Sequence, residues 1–474
     1  MELYVSEFSK YVIALLIALY TFESFMVFRF KDEKRRGAGY TRQSILMFAL
    51  HFSCFIVICF ETGDIMYLFF YAFQQIALYA AAMLYRLLYP ASNRLLVNNM
   101  CMLLSIGFII LTRLSYNMAV KQFIIAAGSL VVALIIPFFV HKFKFLKNLQ
   151  WIYALVGIAA LSVVLILGQT TYGSKLSYSI AGITFQPSEF VKILFVFFVA
   201  SALYRSNGFF EVFTTAVVAG VHVIVLVCSR DLGSALIFFI VYVLMVYIAT
   251  GKFRYIILGI LGGSGAAYVA FSVFRHVQVR VQAWKDPWSV IDSAGYQITQ
   301  SLFAISSGGW FGLGLYKGTP DSIPFVEADF VFSAIAEELG IIFAVCLILI
   351  CLSSFIMMMN ISVHLTDKFY QLTAFGLGIT YIFQIFLTIG GGTKFIPLTG
   401  VTLPLVSYGG SSILTTLILF SVTEGLYIIQ EDEELLKRQK KKERLRRKKK
   451  ALKKRMIEEQ EPDEEGEESD FEEE

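Results

Sequence analysis

Long apolar runs, separated by short polar connectors, dominate this chain. Runs of about the 20 residues that a helix needs to cross hydrocarbon fall near residues 10–30, 45–61, 65–86, 99–114, 122–140, 151–168, 189–205, 212–228, 232–250, 254–274, 331–359, 370–390 and 410–430. The pattern predicts an all-α polytopic integral membrane protein with roughly thirteen spans. The first run lacks a small-residue cleavage site and is followed by more spans, so it reads as an anchor and not as a removed signal peptide. Two segments fall outside the runs. Residues 275–330 form a connector of roughly 56 residues before the third-last span, well above the usual loop of about 4–6 residues. It carries Trp, Phe and Gly-Gly and few disorder-promoting residues, which marks it as functional. Residues 431–474 segregate their charge, with a Lys/Arg run from Lys437 to Arg455 and an acidic run after it. Blocks of like charge repel, so disorder or a single juxtamembrane helix is expected there. The basic half is read as lying against anionic lipid, or as a retention and topology signal.

Composition places the chain in the same class. It is 57% hydrophobic and 16% charged, with a mean hydropathy of +0.68, and no soluble domain of this size could hide so much apolar surface. The 45 Phe and 24 Tyr fit lipid-facing surfaces and interfacial belts. The net charge of +4 is uninformative because about two fifths of the charged residues, of both signs, sit in the tail, and membrane lipids, not nucleic acid, are the expected surroundings. Cys54, Cys59, Cys101, Cys228, Cys346 and Cys351 lie in or at the ends of apolar runs without paired spacing. They read as small buried hydrophobes. The five His are scattered, which argues against a zinc hydrolase.

Basic residues then set the orientation. Arg29, Lys31, Lys34, Arg35 and Arg36 follow the first span, Lys142, Lys144 and Lys147 the fifth, and Lys252 and Arg254 the ninth. With an odd span count these all fall on the side of the basic tail, which puts the C-terminus in the cytoplasm and residues 275–330 on the outer face. The chemistry is then sought at that boundary. The stretch Ile323-Pro324-Phe325-Val326-Glu327-Ala328-Asp329-Phe330 puts the Asp329 carboxylate at the mouth of a long apolar helix. A charge at a membrane boundary persists where it is hydrated, paired or used. The plainer reading is a helix-start carboxylate favoured by the helix dipole.

Four blocks follow in order along the second part of the chain. The first is Gln186-Pro187-Ser188-Glu189 with Lys192, and the second is Asp231-Leu232-Gly233-Ser234. The third comprises Tyr296-Gln297, Gln300-Ser301, Gly308-Gly309, Asp329-Phe330 and Glu337-Glu338-Leu339-Gly340. The fourth comprises Pro397-Leu398-Thr399-Gly400-Val401, Leu403-Pro404 and Ser407-Tyr408-Gly409-Gly410-Ser411-Ser412. From about residue 100 to 430 the chain resembles the SEDS family (shape, elongation, division and sporulation), the FtsW/RodA/SpoVE proteins. The resemblance implies a SEDS-type bundle of about ten spans over residues 96–430. It leaves residues 1–95 as an extra N-terminal region of about three spans and residues 431–474 as a charged tail.

The resemblance further implies a peptidoglycan glycosyltransferase of the bacterial cell membrane, elongating glycan strands from lipid II on the outer face during elongation, division or sporulation. A class B penicillin-binding protein would be its partner. Asp329 matches the family's catalytic Asp, and the reaction needs a carboxylate to take a proton from the attacking sugar hydroxyl. The leaving diphosphate needs cations. Arg280, Lys192, Lys394 and a divalent cation, Mg or Mn, are the candidates. Glu189 and Lys192, three apart on one helix face, either pair or line the substrate cavity. Asp231 pairs with Arg230, caps the ninth span or acts directly. Gln186 and Ser188 belong to the same substrate-binding set. Gln297, Gln300 and Ser301 sit at helical spacing with polar ends toward the cavity. Ser407 and Ser411 open the last span as an N-cap or a phosphate contact. Glu327 and Glu338 are the candidate metal ligands.

Several positions depart from the family pattern. Phe325 stands where a Glu is usual, Glu327 where a His is usual, and Ala328 where a Thr is usual. Arg230, Thr388 and Lys394 replace a Pro, an Asn and a Gly. A flippase of lipid-linked precursors and a scaffold that activates a penicillin-binding protein are the alternatives. The flippase would want inverted repeats, and no clear repeat is seen.

Overall fold

With no water in hydrocarbon, a spanning segment must satisfy its backbone within itself, and long apolar runs therefore become helices. The computed structural model describes residues 2–30, 32–171, 174–180, 183–205 and 208–458. The N-terminal part holds α1 (Glu2–Arg29), α2 (Glu33–Thr62) and α3 (Met66–Leu88). Then come α4 (Arg94–Leu114), α5 (Tyr116–Lys142) and α6 (Gln150–Leu167), followed by the strands β1 (Gln169–Thr171), β2 (Ser174–Ile180) and β3 (Ile183–Phe185). They lead to α7 (Pro187–Leu203), α8 (Phe209–Cys228), α9 (Leu232–Thr250) and α10 (Arg254–Val273). The large connector holds α11 (Arg275–Lys285) and α12 (Tyr296–Gly308), and α13 (Val331–His364), α14 (Lys368–Gly392) and α15 (Gly410–Glu458) complete the chain. Among the described residues twelve helices are long and apolar enough to cross a membrane. The thirteenth predicted span is α7, which is shorter, at 17 residues, and mostly buried.

Helix starts follow local sequence. Asn93 accepts from the backbone N–H groups of Leu95 and Leu96 at the start of α4, Ser115 caps α5, Asp231 caps α9 and Asp367 caps α14. The central element is α4, whose whole apolar stretch is buried between α2, α3, α5, α13 and α15. At its middle, a Cβ on Gly107 would lie 2.6 Å from the Leu405 carbonyl oxygen and 2.9 Å from that of Val406. Glycine is what lets the segment before α15 dip back against α4. In contrast, α10 has no buried residue and leans on α9 and α11.

Polar ties join the N-terminal helices to the rest, as fits a setting where helices gain little from the hydrophobic effect. Tyr20 Oη donates to Asn99 Oδ1 at 2.9 Å, Gln43 Nε2 to Ser24 Oγ at 3.0 Å, and Asn98 Nδ2 to Gln43 Oε1 at 3.2 Å.

Three features go beyond the sequence pattern. Between α6 and α7 the strands form a small antiparallel sheet in the order β1-β2-β3, with Tyr178 opposite Phe185. The large connector is folded: α11, α12 and 3-10 turns at Trp288–Val290 and Pro320–Ser322 occupy it. It is strapped to α13 at Gly340 (φ 85°), where the helix kinks. Leu313 and Gly314 N–H groups donate to the Glu337 and Glu338 carbonyls at 2.9 Å each, and the Ile341 N–H donates to Gly309 O at 3.0 Å. The break in the helix ladder is thus filled by the loop. Last, of the two expectations for the tail, disorder or a juxtamembrane helix, its first part takes the helix. The last span continues as one helix to Glu458, because Lys, Arg, Glu and Leu are strong helix formers. The acidic end, residues 459–474, lies outside the described residues.

Candidate active site

Asp329 is positioned by staples from distant parts of the chain. Phe325 adopts a left-handed conformation (φ 61°), which lets its carbonyl accept from the N–H groups of Ala328 at 3.0 Å and Asp329 at 3.1 Å. Ser407 Oγ donates to the Ala328 carbonyl at 2.5 Å and accepts from the Leu403 N–H at 3.0 Å. The Tyr408 N–H donates to Glu327 O at 2.8 Å. Gln122 of α5 holds this same segment from below, donating to Ser407 O at 2.9 Å and accepting from the Gly409 N–H at 3.2 Å. The loop before α13 is therefore locked onto the segment before α15.

Arg280 meets Asp329 across Gly400. A Cβ built on Gly400 (φ 76°) would lie 3.7 Å from Arg280 Nη2 and 3.9 Å from Asp329 Oδ2, and Arg280 Nη1 donates to Thr399 O at 3.2 Å. Asp329 is half-buried while Gly400 is exposed. Burial pushes the Asp329 carboxyl up to about 6, Arg280 pulls it down, and Glu327 pushes it up. A carboxylate near that value is ionised at neutral pH yet basic enough to accept a proton. Burial lowers the affinity of Arg280 for its proton, and Asp329 and Asp231 oppose that. His276 is held below the ordinary histidine range by burial, with Arg280 and Arg230 adding to it. Arg280 thus feels two carboxylates, Asp329 and Asp231, and in turn bears on His276.

A second polar layer supports the same segment. Lys192 Nζ donates to Glu189 Oε2 at 3.0 Å and to Gln384 Oε1 at 2.6 Å, all three buried. Gln384 Nε2 in turn holds Thr402 O at 3.1 Å, and Thr388 Oγ1 holds Val401 O at 2.8 Å. Ser188 Oγ donates to Asp231 Oδ2 at 3.0 Å, Gln186 Nε2 approaches the same oxygen at 3.5 Å, and Asp231 Oδ1 accepts from the Ser234 N–H at 3.0 Å. Ser411 Oγ accepts from the Gln186 N–H at 2.9 Å. Donors from α11 and α14 thus converge on residues 399–402, and Lys192 of α7 supports them through Gln384.

The family model of the cell cycle proteins FtsW, RodA and SpoVE matches residues 93–430. The chain belongs to the FtsW/RodA/SpoVE family. The peptidoglycan glycosyltransferase RodA of Mycobacterium tuberculosis is 33% identical over 63% of this chain and 66% of its own length, so the chain spans slightly under two thirds of that relative. The probable peptidoglycan glycosyltransferase FtsW of Aliivibrio salmonicida is 32% identical over 58% of this chain and 70% of its own. Stage V sporulation protein E of Bacillus subtilis is 29% identical over 64% and 84%. A chain in a structure described as "Structural coordination of polymerization and crosslinking by a peptidoglycan synthase complex" superposes with a TM-score of 0.62 at 23% identity, covering 72% of this chain and 98% of that one. The crystal structure of the rod shape determining protein RodA of Thermus thermophilus gives 0.53 at 21% identity, covering 72% and 97%.

Within this FtsW/RodA/SpoVE core, some expected site residues have other work. Ser301 is buried, paired with Ser333 Oγ at 2.6 Å and donating to Gly392 O at 2.7 Å. It ties α12 to α13 and α14, and its hydrogen-bonding capacity is spent inside the protein. Gln297 and Gln300 are half-buried on α12, and Lys394 (φ 60°) offers its carbonyl to Trp284 Nε1 at 3.2 Å. No described contact brings these three against Asp329. Glu338 is fully buried and accepts from Arg113 Nε at 2.8 Å, so it serves an ion pair that anchors the connector through Arg113 to Asp321 and Gly318. The helix of the last span begins at Gly410, which leaves Ser407 outside it as a staple.

Arg113, Gln122 and His276 were not singled out from sequence. Arg113 carries a readable signal, a lone Arg at the outer end of an apolar run. Gln122 carries none, because its partners Ser407 and Gly409 are remote in sequence. Among the described residues no group of three or more His, Cys, Asp or Glu side chains could hold a metal. The donor set therefore does not fit a cation held by protein alone. A cation carried by a diphosphate would need only one or two protein carboxylates, and Asp329 and Glu327 would supply them.

Proposed function

We propose that this chain is a peptidoglycan glycosyltransferase that extends glycan strands from lipid II. The observation that carries the reading is a half-buried carboxylate, Asp329, set across Gly400 from the Arg280 guanidinium. A sugar hydroxyl placed against Asp329 loses its proton to the carboxylate as its oxygen bonds to the anomeric carbon. The bond from that carbon to the diphosphate oxygen breaks on the opposite face, so configuration inverts. Arg280 lies where it neutralises charge growing on the diphosphate, a contribution that is larger in the leaving state than in the ground state. Ser407 and Gln122 act as positioning residues that hold the base. A divalent cation, Mg or Mn, arriving with the diphosphate would add charge neutralisation there; no step is routed through it.

The core is taken as residues 96–430, with residues 1–95 an added N-terminal region and residues 431–474 a charged tail. The Lys/Arg bias supports a cytoplasmic C-terminus and an outward-facing Asp329. A class B penicillin-binding protein is the proposed partner, supported by the synthase complex that one structural neighbour belongs to.

Chain growth on labelled lipid II, with and without that partner, tests the reading. Asp329→Asn keeps the shape and removes the base, and the expected loss is about 100-fold or more. Equal product from both proteins would remove Asp329 as catalyst. No product from wild type even with the partner present would favour a flippase or a scaffold.

A further inference from the structure

A cavity of about 690 Å³ opens at the other end of the bundle from Asp329. The two ends are joined by α13, which starts two residues after Asp329 and contributes Met357, Asn360 and His364 to the cavity wall. At about 1.5 Å per helical residue the separation is on the order of 40 Å. The cavity lies where α15 leaves the bundle, and it exists because the added N-terminal helices pack there. Arg36 and Tyr40 come from α2, Asn93 and Arg94 from the start of α4, and Tyr427 and Glu431 from α15. The family match covers only Asn93, Arg94 and Tyr427 of these.

The polar groups of this cavity are incompletely paired. Neither Arg36 nor Arg94 takes part in an ion pair among the described residues. Arg36 Nε is buried and has no hydrogen-bond partner among the described residues. Gln430, also in the wall, is buried with its Oε1 unpartnered. Glu424, one turn before Tyr427, is fully buried; one oxygen accepts from the Asn93 N–H at 2.8 Å and the other has no partner. Unpaired buried polar groups are costly, so a ligand that answers them is stabilised strongly.

Charge narrows the ligand. Glu33, Glu431 and Glu434 line the same cavity as Arg36, Arg94 and Arg438, and Arg438 is paired with Glu434 at 3.5 Å. A polyanion would meet carboxylates, and a simple cation would meet guanidinium groups. A molecule with one phosphate and one ammonium answers both signs, because planar guanidinium groups match phosphate oxygens. Val27, Phe28 and Phe30 at the end of α1 give the cavity an apolar side, suited to the first atoms of an acyl chain.

We propose that this cavity binds a phosphate ester that also carries a primary ammonium group, either the headgroup of an aminophospholipid or a soluble phosphorylated amine. The phosphate sits on Arg36 and Arg94, and the ammonium sits among Glu33, Glu431 and Glu434. Bound there, the ligand bridges α2, α4 and α15, which no ion pair among the described residues joins at this end. The site is independent of the chemistry at Asp329.

The test is native mass spectrometry of the full-length protein with added phosphatidylethanolamine, phosphatidylglycerol, phosphatidylcholine or free phosphoethanolamine. Phosphatidylglycerol lacks the ammonium, and the choline ammonium has no N–H to donate. The expected result is retention of phosphatidylethanolamine or phosphoethanolamine, with the other two lipids weaker by about tenfold. Retention of the lipid alone assigns the membrane as source, and equal binding of free phosphoethanolamine assigns a soluble one. Arg36→Gln with Arg94→Gln loses about tenfold or more in binding, while Arg35→Gln, one position along α2 and outside this cavity, binds like wild type. Because the double variant can fail to fold, Glu431→Gln gives a separate readout, a narrowed preference for phosphatidylethanolamine over phosphatidylglycerol. Binding of neither amine, equal binding of all three lipids, or an unchanged preference in Glu431→Gln overturns the proposal.

Discussion

Replacing Arg280 by Gln should move the acid limb of the pH–rate profile upward. With Arg280 in place, the Asp329 carboxyl lies at about 6, so the base ionises as pH rises through that value and the rate rises with it. The charged ends of the two side chains flank one point beside Gly400 at 3.7 and 3.9 Å, so they are within about 8 Å of each other. At an effective dielectric of about 20 this is roughly 2 kcal/mol, or about 1.5 pK units. Losing it takes Asp329 from about 6 to about 7.5, and the ionised fraction at pH 7 falls from about nine-tenths to about a quarter. The turnover rate at pH 7 then drops about fourfold from this cause, and at pH 9 that part of the loss disappears. A second, pH-independent loss remains, because the diphosphate has also lost its cation. Glu327→Gln removes a like charge and must act the other way, moving the limb to lower pH. The assay is chain growth at saturating lipid II from pH 5 to 9. An unmoved or lowered midpoint in Arg280→Gln, or a raised one in Glu327→Gln, would refute the electrostatic account.

Other consequences follow from the same contacts. Arg113→Gln strands the buried Glu338 carboxylate and should cost about 3–5 kcal/mol of stability, much of it regained when Glu338→Gln is added; equal thermal melting of the single and double variants would count against this. Ser407→Ala removes the staple on Ala328 O, worth about 1–3 kcal/mol, so chain growth should fall about tenfold with little change in melting temperature; full activity would show that the loop needs no such tie. Gly107→Ala pushes a methyl to 2.6 Å from the Leu405 carbonyl oxygen and should destabilise by about 1–3 kcal/mol; an unchanged melting temperature would mean that the segment before α15 is free to shift.

The sequence by itself determined where the membrane-spanning helices fall, because the length of an apolar run is a local property and hydrocarbon admits one solution to it. It also determined the Glu189–Lys192 pair, which helical spacing brings together. Asp329 stood out for a similar reason, as a carboxylate beside the longest span. What the sequence left open was every contact whose partners are remote. Arg280 reaches the Thr399 carbonyl across 119 positions, Ser407 reaches Ala328 across 79, and Arg113 reaches Glu338 across 225. Spacing on α12 put Ser301 with the substrate contacts, and only the neighbouring helices show it spent on Ser333 and Gly392. The tail is an intermediate case: its charge pattern allowed disorder or a juxtamembrane helix, and its continuity with the last span made it helix as far as Glu458. Tertiary structure also decided that Asp329 faces a guanidinium and that Arg36 and Arg94, at the far end, take part in no ion pair among the described residues. Such pairings depend on how helices pack, and packing sums many weak contacts that no local pattern encodes.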